Sequence, residues 1–111
     1  IRLNELNFST NSFVLNGESM DILDELVIYL KLKSSMYIEI HGHTDNIGDA
    51  KKNQILSQNR AESVMKFLVS NGISQKRLSS KGFGQAKPNK SNNSKRGRAF
   101  NRRVEFVVKQ Y

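Results

Sequence analysis

The feature that most constrains this chain of 111 residues is a long helical stretch that puts charge on its apolar side. From about Asp49 to Ser70 the residues follow a 3.6-residue repeat, so Leu56, Val64, Phe67 and Leu68 share one face of a helix. Asn53, Ser57 and Arg60 fall on that same face. The face must be buried, which makes its first half polar and places a guanidinium in it. A buried charge without a partner is strongly destabilising, so Arg60 needs an anion. Asp45, just ahead of the helix, is the obvious carboxylate. Two readings stay open here: an internal ion pair between Arg60 and Asp45, or two opposite charges flanking a ligand.

The remaining elements follow from local signals. Leu3 to Phe8 reads as a short strand that ends in the polar turn Ser9-Thr10-Asn11-Ser12. Asn16 can cap a helix whose apolar stripe is Met20, Leu23, Leu26, Val27 and Leu30. Met36 to Gly42 is a compact strand. After the long helix, Asn71-Gly72 supplies a left-handed stop, with Ile73 placed to pack back on the last turn. Arg77 to Phe83 and Arg102 to Val108 read as two more strands, and Lys87 to Arg98, rich in Lys, Asn and Ser, as an exposed loop. The order β-α-β-α-β-β predicts an α+β fold, a two-layer sandwich of two helices on one face of a mixed four-stranded sheet. The first connections are crossovers of helix length, which suit parallel neighbours. With no internal repeat, residues 1–111 read as a single domain.

Composition removes several function classes. The absence of cysteine excludes disulfide scaffolds, thiolate zinc sites and thiol catalysis. No apolar run approaches the roughly 20 residues of a membrane-spanning helix. The chain opens on Ile1 with no signal segment, and the expectation is a domain taken from a longer protein whose targeting and anchoring segments lie upstream. Ser57 has no histidine at helical spacing, so no nucleophile–base pair is expected, and neither catalysis nor a cofactor. His41, His43 and Asp45 alternate as metal ligands on a strand can, but the Gly42-His43-Thr44-Asp45 bend breaks the alternation, and no metal is expected. Gly82-Phe83-Gly84 lacks the third glycine of a dinucleotide loop and reads as a strand-end bend.

The net charge is +8, and it is lopsided: residues 1–50 carry −5 and residues 51–111 carry +13. That invites a nucleic-acid or other polyanion-binding reading, which is the rival hypothesis. The basic run Lys87, Lys90, Lys95, Arg96, Arg98, Arg102, Arg103 has only Phe83 and Phe100 near it for base stacking, and a solvated loop face is the favoured reading.

The segment His41 to Gly48 ends a strand and opens a helix, where a parallel strand–helix unit presents its ligands and free N–H groups. An Asp and an Arg flanking such a crevice form a clamp of two signs. It suits a zwitterion with an ammonium and a carboxylate on one carbon.

These residues carry a resemblance. His41-Gly42-His43-Thr44-Asp45-Asn46-x-Gly48, Asn53-x-x-Leu56-Ser57-x-x-Arg60-Ala61-x-x-Val64, Asn71-Gly72-Ile73 with Arg77, Gly82-Phe83-Gly84-x-x-x-Pro88 and Gly97-Arg98-Ala99-x-Asn101-Arg102-Arg103-Val104-Glu105-Phe106 resemble, in order, the OmpA-like C-terminal domain. The resemblance runs from about Leu6 to Val108. It implies a non-catalytic module that binds peptidoglycan through the meso-diaminopimelate of the stem peptide and ties the outer membrane or an envelope complex to the wall. By resemblance Asp45 takes the ligand ammonium and Arg60 its carboxylate, while Thr44, Asn53 and Arg102 line the pocket and Asn11 matches a contact of some members. It further implies a periplasmic location, membrane attachment only through segments outside this chain, and no nucleic acid; a homodimer is left open. The sequence departs from the pattern at Ser9-Thr10-Asn11, where acidic residues are common, and at Lys52, where the family is often aromatic or aliphatic.

Overall fold

The computed structural model describes residues 6–110. The first strand, β1, is Leu6–Asn7 among these, so most of the strand expected over Leu3 to Phe8 lies outside the described residues. It is followed by α1 (Gly17–Leu32), β2 (Tyr37–Gly42), α2 (Ala50–Ser70), a 3-10 turn (Gln75–Arg77), β3 (Leu78–Gly82), α3 (Lys95–Asn101) and β4 (Arg103–Gln110). The sheet order is β1-β4-β2-β3. β4 runs antiparallel to both β1 and β2, while β2 and β3 are parallel neighbours, with Ile38 opposite Leu78 and Gly42 opposite Gly82.

The mixed four-stranded α+β sheet is as expected, with two differences. The β2–β3 crossover joins neighbours, but the crossover through α1 does not, because β4 inserts between β1 and β2. The stretch read as an exposed loop from Lys87 to Arg98 contains the start of a third helix, α3, capped by the Ser94 side chain on the Gly97 N–H.

Alternation along the strands separates the two layers. Ile38, Ile40, Leu78 and Val104 are buried beneath α1 and α2 with Leu23, Leu26, Leu30, Ala61, Val64 and Leu68. Tyr37, Glu39 and His41 alternate to the other side of β2, where His41 bonds Glu39 at 2.9 Å and Lys109 approaches it at 3.6 Å. On α1 the buried stripe includes Ser19 rather than Met20, which lies at the stripe's margin in the first turn and is 42% exposed. Leu56 and Phe67 are half-buried, and Ala61 joins the α2 stripe instead.

The helix ends obey the predicted caps. Asn16 accepts the Ser19 N–H at 2.8 Å. Gly72 takes φ +95°, a left-handed conformation that costs a side-chain-bearing residue about 1 kcal/mol, and Ile73 bonds back to the Leu68 carbonyl while burying its side chain. Arg77 closes the far end of α1 by donating to the carbonyls of Leu30, Lys33 and Met36.

α2 lies unusually close to β2. A Cβ placed on Gly42 would stand 1.9 Å from the Ser57 carbonyl oxygen, so any side chain there drives the helix off the sheet. We predict that Gly42→Ala lowers unfolding stability by about 3 kcal/mol or more, at or beyond the upper end of ordinary overpacking. Gly17→Ala, with nothing within 4 Å of the added carbon, should be neutral or slightly stabilising. Urea midpoints of the two variants against wild type decide it: equal midpoints would show that the close approach carries no energetic weight.

Candidate ligand-binding site

The loop between β2 and α2 is built from its own backbone outward. The His43 N–H donates to the Arg103 carbonyl at 2.8 Å and the Thr44 N–H to the Gly84 carbonyl at 2.9 Å, which fixes the loop across the ends of β4 and β3. The Thr44 hydroxyl is buried and donates to the Asp45 carbonyl at 2.8 Å. Asp45 Oδ1 accepts the Ile47 N–H at 3.0 Å, a local turn that fixes the carboxylate's direction. Asp49 caps α2 by accepting the Lys51 N–H at 2.7 Å. From the first turn of α2, Asn53 Nδ2 reaches the Ile47 carbonyl at 3.1 Å and Gln85 Oε1 at 3.0 Å, joining this loop to the one that follows β3.

Arg60 is wholly buried, as its place on the inward face predicts, but its partners differ from the expected carboxylate. Nε donates to the Ser12 carbonyl at 2.7 Å, Nη1 to the His43 carbonyl at 2.8 Å and Nη2 to the Ser9 carbonyl at 3.0 Å. The Phe8 ring lies 5.1 Å below the guanidinium carbon. The internal Arg60–Asp45 pair is therefore not formed: Asp45 Oδ2 instead accepts from Arg102 Nη1 at 3.1 Å, and Arg102 Nε donates to the Phe8 carbonyl at 2.9 Å. The reason is geometric: the turn Ser9–Ser12 and the loop at His43 both present carbonyls to the helix face, and each guanidinium nitrogen donates one N–H to them. Among the described residues no carboxylate lies within 4 Å of it. Burial lowers the Arg60 pKa to about 10, with nearby Arg102 adding to the effect and Asp45 opposing it.

An open cleft of about 390 Å³ lies beside this arrangement, lined by Thr10, Asp45, Ile47, Lys95, Arg98 and Arg102. Of the six residues expected at a binding site, Asp45 and Arg102 line the cleft. Thr44 and Asn53 brace its wall through the backbone of Asp45 and Ile47. Arg60 lies behind it, and Asn11 is exposed on the neighbouring turn at φ +57°. Lys95 and Arg98 are additions: they belong to the run read as a solvated loop face. Their spacing with Arg102, three and four residues apart behind a serine cap, was the available signal of one helical face. One carboxylate facing three cations suits a ligand that brings both an ammonium and a carboxylate. Each carboxylate oxygen of Asp45 keeps capacity for a further donor.

The histidines stand apart from this cleft. His41 is on the sheet's other face, and the hydrogen bond from it holds the Glu39 carboxyl below the usual range. His43 is buried and stacked on Phe83, with ring centroids 5.4 Å apart, and neither ring nitrogen has a hydrogen-bond partner. Among the described residues no three His, Asp or Glu side chains converge as a metal would need.

Burial pushes His43 down to about 4, with Arg103, His41 and Lys87 reinforcing the shift and Glu105, 3.8 Å from Nε2, opposing it. The folded chain then keeps a neutral imidazole where the unfolded chain, at its ordinary value near 6.5, takes a proton. This contribution to stability is complete above about pH 6.5 and is lost as the pH falls toward 4, to a limit on the order of 3 kcal/mol. We predict that His43→Gln flattens the fall of the urea midpoint between pH 7 and pH 4.5; parallel curves for wild type and variant would refute the assignment.

Comparison with known proteins follows the same lines. The OmpA family profile matches residues 7–102. Outer membrane porin F of Pseudomonas fluorescens is 35% identical over 104 residues, covering 94% of this chain and 32% of the porin. The peptidoglycan-binding protein ArfA of Mycobacterium bovis is 39% identical over 101 residues, covering 91% of this chain and 31% of ArfA. The chain thus spans about a third of the length of these relatives. The crystal structure of the peptidoglycan-associated lipoprotein from Burkholderia pseudomallei superposes with a TM-score of 0.91 at 28% identity, covering 98% of this chain and 91% of that one. With the family profile matching most of its length and its fold superposing on that lipoprotein, the chain belongs to the OmpA family.

Proposed function

We propose that this domain binds peptidoglycan without catalysis, holding the meso-diaminopimelate of a stem peptide in the Asp45 cleft and anchoring an outer-membrane or envelope assembly to the wall from the periplasmic side. The observation that carries the reading is the guanidinium of Arg60, buried among carbonyls with no carboxylate partner among the described residues, beside a cleft that the Asp45 carboxylate lines. Diaminopimelate ends in an ammonium and a carboxylate on one carbon. Asp45 receives the ammonium. The carboxylate goes to the arginine side, where Arg60 keeps one N–H on each terminal nitrogen beyond those already engaged, and Arg102 stands next to it. A ligand carboxylate supplies the anion that Arg60 lacks, which is where a charge-assisted bidentate bond gains most. Thr44 and Asn53 act through the backbone they hold, and Asn11 sits on the turn that must shift to admit the ligand.

Support for the wider role comes from the relatives: the named partner of ArfA and of the Burkholderia lipoprotein is peptidoglycan. Among the described residues no helix is long and apolar enough to cross a membrane.

The test is calorimetric binding of a stem peptide containing diaminopimelate against one containing lysine, which lacks the side-chain carboxylate. Asp45→Asn and Arg60→Lys should each weaken the diaminopimelate peptide by at least about tenfold, the loss of one charged hydrogen bond. Arg60→Lys should barely change the lysine peptide. Wild-type affinity in both variants would sink the reading. So would binding to DNA with a steep salt dependence that neither substitution alters.

A further inference from the structure

The segment from Asn89 to Ser94 looks in sequence like a loose basic loop, but one buried side chain holds its shape. Asn101 Oδ1 accepts from the N–H groups of Asn89 at 2.6 Å and Lys90 at 2.8 Å. Its Nδ2 donates to the Lys90 carbonyl and to Asn92 Oδ1, each at 2.8 Å. Both donors and both acceptor positions of the amide are used, inside a residue with no exposed surface. Arg98 Nη1 adds a bond to the Asn92 carbonyl at 2.9 Å. Lys90, the one basic side chain of this segment, therefore projects from a fixed wall.

Between that wall and α3 lies a second cleft of about 390 Å³, lined by Lys90, Ser91, Ser94, Arg96, Gly97 and Phe100. α3 divides the two clefts. Lys95, Arg98 and Arg102 serve the Asp45 side; Arg96, Gly97 and Phe100 serve the other. Phe100, on α3 facing that wall, exposes 38% of its surface, and Lys90 Nζ lies 5.9 Å from its ring centroid. Among the described residues neither Lys90 nor Arg96 has a carboxylate within 4 Å. An open aromatic face flanked by two hydroxyls and two unpaired cations matches a sugar ring that carries amide and acidic groups: the ring's C–H face lies on the aromatic, and its oxygens meet the donors.

Resting on the reading above, we propose that this second cleft binds the glycan end of the same ligand, the lactyl-bearing amino sugar to which the stem peptide is attached. The span fits. α3 with its side chains is about 10 Å across. A stem peptide anchored by its third residue at Asp45 has two residues and the lactyl linker with which to reach the sugar ring, also about 10 Å when extended. Phe100 carries the sugar ring, Ser91 and Ser94 meet its hydroxyl and acetamido groups, and Lys90 and Arg96 meet the free carboxylate of the stem's second residue.

The experiment compares the free tetrapeptide with the same tetrapeptide carrying its disaccharide, by calorimetry on the whole domain. Wild type should bind the disaccharide form about tenfold more tightly. The ratio of the two affinities should fall to near one in Phe100→Ala and in Phe100→Leu, which keeps the bulk, and should survive in Phe100→Tyr. Urea midpoints near wild type confirm that the variants are folded; should Phe100→Ala unfold, the Leu and Tyr pair carries the comparison. Equal affinity of wild type for the two ligands overturns this inference alone, as does a tenfold ratio that persists without the phenyl ring. Failure of wild type to bind either ligand overturns the peptidoglycan reading with it.

Discussion

The burial of one guanidinium organises the binding end of this molecule. Arg60 leaves α2 at its third turn and is enclosed by two segments far apart in sequence, the turn after β1 and the loop after β2, each of which lends it carbonyl oxygens. Removing a guanidinium from water is strongly unfavourable, and oriented dipoles offset it only if the loops stay in place. Each partner thus constrains the other: the loops neutralise part of the charge, and the charge fixes the loops. Because carbonyls occupy Arg60, the Asp45 carboxylate is left to Arg102 and to the open cleft.

The same helix face does two jobs along its length. Ala61, Val64 and Leu68 close the apolar core, where burial is non-directional and stabilises in proportion to area. Asn53 and Ser57, one turn and more before them, are equally buried but act through directed bonds. Ser57 Oγ accepts the Gly84 N–H at 2.8 Å and donates to the Gln54 carbonyl, and Asn53 holds the Asp45 loop. A polar residue in that half of the stripe therefore sets loop geometry, while an apolar one in the other half sets stability. The contact at Gly42 couples the two, since the helix can approach the loops only if it also lies tight on β2.

Much of this was legible because it is local. The caps at Asn16 and Gly72, the alternation of β2 and β4 and the inward placement of Arg60 depend on neighbours within a few residues. The insertion of β4 between β1 and β2 was not, since it joins residues such as Leu6 and Val104 that local pattern cannot relate. α3 escaped for another reason. It is short, basic and has no apolar stripe, and what secures it is the amide of Asn101 bonding a loop about ten residues upstream. The partners of Arg60 were hidden for the plainest reason of all: they are backbone carbonyls, which every residue carries and no sequence marks.

The charge imbalance between the two halves of the chain resolves into two kinds of cation. On the open sheet face charges compensate one another, with Glu39 set between His41 and Lys109 and Glu105 bonded to Arg103. Around α3 they do not: Lys90, Lys95, Arg96 and Arg98 stand without carboxylate partners among the described residues, and Asp45 alone offsets Arg102. An uncompensated positive field thus surrounds the two clefts that flank α3. At physiological ionic strength such a field reaches only about 8 Å, enough to favour an anionic polymer at the surface but not to tell one from another. Discrimination has to come from contact, and in the first cleft the only group of opposite sign is Asp45. A purely anionic ligand would meet repulsion at that carboxylate, whereas a ligand that also carries an ammonium would meet a partner, so in the proposed function the single acid among the cations is the group that discriminates.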